Sequence, residues 1–298
     1  MERPVPTDLH QLKRPSRSRR KALVPYGLLA PGGLWILLFF IVPMVAMASL
    51  SLQEGSSIAG FRMTWHFANY SDALTQNNEI MVRSLRNGAI VTLVSLLLSY
   101  PVAYWIAFYG GKRKTGFLFL LLLPFFISFV IRTVAWSFIL SDDGIVFGSL
   151  KSLGVLPDGF RVVGTTFSVI AGITYNLLPF TILPLYVSLE QIDRRFVEAA
   201  KDLYSNRAQA FLKVVFPLSL PGVFAAVLLT FIPATGDYIN AAVLGGPGTS
   251  MIGNVINNEF LVQRNYPESA ALAFLLMTVM LVGAVLYARV LGTDQITT

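Results

Sequence analysis

The chain has 298 residues, of which 54% are apolar and 13% are charged, and its mean hydropathy is +0.63. The surface of a soluble protein is about a quarter or more charged, so this composition excludes a soluble globular protein and indicates a surface covered by lipid. The formal charge is +7, cysteine is absent and the only histidines are His10 and His66. Disulfides, thiolate chemistry and histidine-based metal sites therefore have no support, and no metal site is expected.

Apolar runs that could cross about 30 Å of hydrocarbon as a helix, roughly 20 residues each, occur six times along the chain. We therefore predict an all-α membrane protein with six transmembrane helices at residues 27–50, 88–109, 115–140, 163–189, 214–236 and 269–288. The first run could instead be a cleaved signal peptide, but it is longer than an ordinary signal sequence. A basic tail, residues 1–26, is predicted to be disordered and held near anionic lipid. It precedes a membrane domain of residues 27–289, and a short tail of residues 290–298 follows.

The distribution of lysine and arginine predicts the orientation of the spans. The N-terminal tail, the loops at residues 110–114 and 190–213, and the segment after the sixth span, which begins with Arg289, together hold 16 of these residues, whereas the other three loops hold six. Loops rich in lysine and arginine tend to stay in the cytoplasm. We therefore predict that both termini are cytoplasmic. Because the positive charge lies in loops beside apolar runs, it indicates membrane topology rather than nucleic-acid binding.

The cytoplasmic loop at residues 190–213 is predicted to form an amphipathic helix or a pair of such helices. Apolar residues recur there at three- and four-residue steps, with charged residues between them. The apolar positions are Phe196, Ala199, Ala200, Leu203, Ala210, Phe211 and Val214. Lipid headgroups, the chain's own helices or a groove of another subunit could each cover this apolar face.

This loop closely resembles the EAA motif of permease subunits in type I ATP-binding-cassette importers. The matching residues are Glu198-Ala199-Ala200, Asp202-Leu203, Phe211, Val214, Pro217-Leu218 and Pro221-Gly222. In that family the segment is the coupling helix, which sits in a cleft of the ATPase subunit. The resemblance implies ATPase contacts by Glu198, Ala199, Ala200, Asp202, Leu203 and Tyr204. Tyr204 departs from the family, which usually has a glycine there that lets the loop turn, although Ser205-Asn206 could supply a bend.

Two further stretches, residues 122–146 and 236–260, resemble the polyamine (spermidine/putrescine) branch of these permeases. In that branch an arginine follows a Pro-Phe pair in the third span, and Gly-Asp and Gly-Gly pairs follow the fifth span, as they do here. The resemblance implies a permease in a bacterial inner membrane that works with a second six-span permease, two ATP-binding subunits and an extracytoplasmic substrate-binding protein. Motion of the ATPase subunits would then switch the bundle between inward- and outward-facing states.

The chain has no G-x-x-x-x-G-K-[ST] loop, so we expect that it does not hydrolyse ATP itself. ATP and Mg²⁺ are expected on the partner ATPase subunits, and no cofactor or catalytic residue is expected in this chain. Proton- or sodium-coupled transport without an ATPase is disfavoured, because the six spans contain no carboxylate. A membrane-embedded enzyme is disfavoured as well, since no nucleophile is paired with a base. Within the importer family, a sugar, a phosphonate or a metal chelate remains an alternative cargo.

Polar and aromatic residues near the spans are candidates for the substrate pathway. They are Trp136, Tyr175, Asn176, Asp237, Tyr238 and Glu259. Aromatic faces and carboxylates could replace water around a cation, but bundle hydrogen bonds, an aromatic belt and a solvated helix end explain the same residue types. Arg132 carries the same sign of charge as a polyamine. We therefore predict that it forms a structural ion pair with Asp142, Asp143 or Asp237 rather than a substrate contact.

Overall fold

The computed structural model describes residues 29–157, 159–202 and 206–291, and the chain divides into two compact units between Ser49 and Leu50. The predicted basic tail, and all but the first two residues of the short C-terminal tail, lie outside the described residues. The described part of the first unit belongs to helix α1, Leu29–Ser51, which contains a π-helical turn at Leu37–Ile41. Pro43 cannot donate an amide hydrogen to the turn before it, which accounts for the irregularity.

The second unit contains four unbroken helices that are long and apolar enough to span a membrane. They are α2, Ala68–Tyr109, α6, Thr166–Glu190, the helical run Ala208–Gly236, and α12, Tyr266–Leu291. With α1 these make five such helices in the described ranges, and a sixth span is formed by a strongly bent pair. The structure is thus a multi-pass helical membrane protein, as the apolar runs predict.

The remaining elements connect these helices. The bent span consists of α3, Lys114–Leu122, and α4, Phe129–Leu140, and is followed by α5, Phe147–Ser152. The loop at residues 190–213 holds α7, Arg194–Asp202, and α8, Arg207–Ala210. It leads through a π-helical turn, Phe211–Val215, into α9, Phe216–Gly236. Two short helices, α10, Ile239–Leu244, and α11, Ile252–Asn257, and a second π-helical turn, Asn258–Gln263, precede α12.

Helix α2 is 42 residues long, so it begins 20 residues before the apolar run that was predicted at residues 88–109. Its polar first half is held by packing. Ala73 and Met81 are buried against Ile252 and Leu272 of later elements. The Ser84 hydroxyl also accepts a hydrogen bond of 2.7 Å from the Ile252 amide. Such long-range contacts stabilise a helix whose local sequence is not apolar enough to indicate a span.

A short β-hairpin precedes α2, so the prediction of a purely helical chain was incomplete. Strands β1, Gln53–Ser56, and β2, Gly60–Met63, pair antiparallel, with Ser56 opposite Gly60 next to the turn. Gly60 has a φ of +80°, which only glycine adopts without strain. The Asn69 side chain donates to the Gln53 carbonyl at 2.9 Å, and this bond fixes the hairpin to the start of α2.

The third span is not the single helix predicted at residues 115–140. Two helical segments, Gly111–Phe126 and Phe129–Leu140, meet at an angle of 89°. Ile127 and Ser128 between them have extended backbone, with ψ angles of 138° and 137°. A tight 3₁₀ turn, Leu123–Phe126, which contains Pro124, precedes the break. The continuous apolar pattern did not reveal it, because hydropathy reports burial in lipid and not backbone direction.

Helix α6 is the centre of the core. Ile173 and Leu185 on this helix are fully buried, and α6 packs against α2 and α9 along its length. Gly172 faces α10 so closely that a Cβ atom there would collide with the Leu244 side chain and lie 2.9 Å from the Asn240 side-chain oxygen. This close approach places Asn240 beside the polar face of α6.

Candidate functional site

A buried cluster of three polar side chains joins α4, α6 and α10. The Thr133 hydroxyl donates to the Asn240 side-chain oxygen at 3.1 Å, and the Asn176 side-chain amide donates to both of these oxygens at 3.1 Å. All three side chains are almost completely buried. The Asn176 oxygen has no hydrogen-bond partner among the described residues. The cluster therefore retains an unused acceptor inside the bundle.

Asp237, which follows the last residue of α9, extends this cluster. Its carboxylate accepts hydrogen bonds from the Asn240 backbone amide at 2.8 Å and from the Asn240 side-chain amide at 2.6 Å. Burial raises the pKa of the Asp237 carboxyl group, and the hydrogen bonds from Asn240 act in the opposite direction. Asp237 is thus built into the polar cluster and is not simply a solvated helix end.

Two predicted pathway aromatics also meet at this place. The rings of Trp136 and Tyr175 lie 5.2 Å apart, and Tyr175 precedes Asn176 of the cluster. Tyr238 follows Asp237, and its side chain is partly exposed while its carbonyl accepts from Asn254 at 2.8 Å. The structure therefore brings aromatic faces, amide groups and one carboxylate together at the junction of four elements.

Glu259 does not belong to this cluster. It lies in the π-helical turn Asn258–Gln263, where its backbone carbonyl accepts from the Asn265 amide at 2.9 Å. In the described part of the chain, no hydrogen bond or ion pair joins Glu259 to Asp237. A place for Glu259 on the same route as Asp237 therefore stays a prediction.

The sequence interpretation missed Thr133 and Asn240, which complete the cluster. Thr133 directly follows Arg132 and lies about one helical turn before Trp136, a predicted pathway residue. This spacing could have identified it. Asn240 lies three residues after Asp237 in the first turn of α10. Asparagine three residues after an aspartate at a helix start is a recognisable capping arrangement, and it could have identified Asn240.

Arg132 is buried, with 7% of its surface exposed, but the predicted ion pair is wrong. Its guanidinium lies over the Phe125 ring at 4.5 Å and 5.8 Å from the Phe129 ring. Asp142 instead pairs with Lys151 at 3.5 Å and with Arg161 at 3.1 Å. The contacts that the guanidinium does make are cation–π contacts with rings on both sides of the bend.

The amphipathic loop is helical and only partly covered. Asp193 begins α7 by accepting a hydrogen bond of 2.9 Å from the Arg195 amide. Val197 packs against the chain's own core, whereas Phe196 remains 58% exposed. The chain's own helices therefore cover only part of the apolar face of this loop. Phe196 is left accessible to a lipid or to another subunit.

Glu198 and Ala199 are exposed on α7, and Glu198 borders a cavity of about 230 Å³. The cavity lies against the end of α2, and its lining includes Arg194, which donates to the Phe108 carbonyl at 3.0 Å. Leu203 and Tyr204 lie outside the described residues. After them, Asn206 and Gln209 exchange side-chain and backbone hydrogen bonds of 3.2 and 2.8 Å. This reciprocal cap begins α8.

The amino-acid sequence is similar to those of known transport proteins. The family described as "Binding-protein-dependent transport system inner membrane component" matches residues 34–291. The "Spermidine/putrescine transport system permease protein PotB" of Haemophilus influenzae is 35% identical over 86% of this chain and 90% of its own. PotB of Escherichia coli is 34% identical over 86% and 93%.

Solved structures resemble the fold. A chain of a bacterial ABC transporter for the acidic polysaccharide alginate superposes with a TM-score of 0.69, covering 94% of this chain and 98% of its own, at 19% identity. The MetNI methionine ABC transporter gives a TM-score of 0.56 at 16% identity, covering 72% and 93%. At these identities the similarity concerns the fold alone.

Proposed function

The chain belongs to the family of inner-membrane components of binding-protein-dependent transport systems, and from this premise we propose that it conducts polyamines in an ATP-driven importer. Its partners in this proposal are a second six-span permease, two ATP-binding subunits that carry ATP and Mg²⁺, and an extracytoplasmic substrate-binding protein. The observation that supports a polyamine cargo is the identity, over most of the chain, to proteins named as spermidine/putrescine permeases.

The polar cluster supports a cationic cargo. An ammonium group that leaves water needs carboxylates, carbonyls or aromatic faces in its place. Asp237, the unused Asn176 oxygen and the Trp136–Tyr175 pair offer such groups within one junction of helices. This junction is our candidate for a point on the translocation route.

Helix α7 is our candidate for the contact with the ATPase. Glu198 and Ala199 are exposed there, and Phe196 is exposed as well, so α7 offers both a carboxylate and an apolar ring to a partner. A carboxylate can accept charge-assisted hydrogen bonds from a partner's arginine or backbone amides. Ala200, Asp202, Leu203 and Tyr204 complete the proposed surface by resemblance to the family motif.

We assign both termini to the cytoplasm, because lysine and arginine are concentrated in the tails and in the loops after the second and fourth spans. A reporter fused after Thr298 should be active only if it is of the kind that works in the cytoplasm. Activity of a periplasmic reporter at that position would mean that one span has been miscounted.

The cargo is tested by competition in cells. Deleting the gene for this chain should remove most uptake of labelled spermidine or putrescine, and the wild-type gene should restore it. Excess unlabelled sugars, phosphonates or metal chelates should not compete. If neither polyamine competes for uptake of the cargo that the complex does carry, the polyamine assignment is wrong and only the importer family remains.

A further inference from the structure

The bend of the third span holds a cation without a counterion. Arg132 is 93% buried, and its Nε and Nη1 atoms have no hydrogen-bond partner among the described residues. The Phe125 ring covers one face of the guanidinium at 4.5 Å, but an aromatic ring does not satisfy N–H groups that point elsewhere. Buried charges in membrane spans almost always pair with other polar groups, so a partner is missing.

In the described part of the chain, no carboxylate forms an ion pair with Arg132. The six apolar runs contain neither aspartate nor glutamate. Among the described residues, no carboxylate hydrogen-bonds to the Nε or Nη1 atom of Arg132, and this includes Asp142, Asp143 and Asp237. Asp142 instead pairs with Lys151 and Arg161. The missing partner therefore belongs to another molecule.

The backbone of the bend indicates what kind of molecule this is. Ile127 and Ser128 are extended in the middle of an apolar run of 26 residues, and Phe126 and Ile127 are 79% and 51% exposed. Lipid cannot satisfy non-helical backbone at membrane depth, and such backbone occurs only where protein or a water-lined cavity covers it. The exposed side chains of the bend, Phe126 and Ile127, are apolar, so a protein surface fits the bend better than a water-lined cavity does.

We propose that the bend, residues 123–132, is a contact surface for the second permease subunit, which inserts a carboxylate beside Arg132. A cavity of about 150 Å³ lies there, lined by Phe125, Arg132, Tyr175 and Pro179 among others, and offers room for a carboxylate group. The pairing of two permeases rests on the proposed function. The proposal takes the second permease to be a different chain, because the six apolar runs of this chain contain no carboxylate that a second copy could insert.

The proposal is tested by exchanging the two charges of the proposed pair between this chain and the second permease. Arg132→Glu should lower both ATP-driven spermidine uptake and copurification of the second permease by at least about tenfold, since two carboxylates then meet in a desolvated site. Each aspartate and glutamate in the spans of the second permease is then changed to lysine, one at a time, in the Arg132→Glu background. One of these changes should restore copurification to within about threefold of wild type. Recovery with none of them overturns the proposal.

Two controls keep the result interpretable. Arg86→Glu, at an exposed arginine of α2, should not be rescued by the same lysine. If Arg132→Glu is not inserted, Arg132→Gln is combined with glutamine at each acidic position of the partner. At one position, the double variant should then copurify the second permease at least as well as the more impaired of the two single variants does. If the losses of the two single variants simply add at every position, the proposed ion pair is wrong. Copurification does not depend on the cargo, so failure of polyamine uptake alone leaves this test valid.

Discussion

Replacing Glu198 by alanine should lower ATP-driven uptake about 10- to 100-fold, because a charge-assisted hydrogen bond to a partner contributes about 1.5–3 kcal/mol. Glu198 is exposed on α7 and makes no ion pair with another described residue, so its loss should leave the fold intact. Association with the ATPase subunit should weaken in parallel. The measurements are uptake into proteoliposomes and copurification of the ATPase, each corrected for the amount of inserted protein.

Asp72→Ala is the matched control, since Asp72 is also an exposed carboxylate on a helix but lies at the start of α2. It should insert, bind the ATPase and transport like wild type. Wild-type transport by Glu198→Ala would remove the assignment of α7 as the coupling surface. Equal losses in both variants would point to a general effect of removing surface charge.

Asp237→Asn should lower uptake of a di- or tri-cation by about tenfold or more, since a desolvated charge contact contributes considerably more than the roughly 1 kcal/mol of an exposed pair. The change removes the charge at the polar junction. It also places an amide where the Asn240 side-chain amide now donates at 2.6 Å, so Asn240 must reorient. Insertion and ATPase binding should persist. Asp237→Glu, which keeps the charge, should retain more uptake than Asp237→Asn.

Asp142→Asn provides the comparison for Asp237, because Asp142 is held by Lys151 and Arg161 and lies outside the polar cluster. Its transport should stay near that of wild type. If Asp237→Asn transports labelled spermidine or putrescine like wild type, Asp237 does not contact the cargo.

The helical spans could be predicted from sequence because lipid imposes a simple rule of length and hydropathy. The departures occur where tertiary contacts override that rule. The first half of α2 is polar and helical because Ala73 and Met81 pack on later elements. The third span bends by 89° because the backbone leaves the helix at Ile127 and Ser128, which no hydropathy pattern records.

The candidate site was predicted in part, for a similar reason. Trp136, Tyr175, Asn176 and Asp237 stand out as polar or aromatic groups near apolar runs, and the structure places them at one junction. Asn240 was missed because its importance comes from the hydrogen bonds it makes to Thr133 and Asn176 on two other helices and to Asp237. The ion pair expected for Arg132 failed because sequence proximity to Asp142 does not determine which cation that carboxylate meets.

The most direct test of the central claim is uptake of labelled spermidine into proteoliposomes that contain the complete complex. This chain is reconstituted with the second permease and the two ATPase subunits, and the loaded binding protein is added to the extracytoplasmic side. We expect uptake that requires ATP on the cytoplasmic side, ceases when this chain is omitted and is reduced by unlabelled putrescine. Uptake that proceeds without ATP, or a complex that hydrolyses ATP in response to the loaded binding protein but moves no polyamine, would contradict the claim.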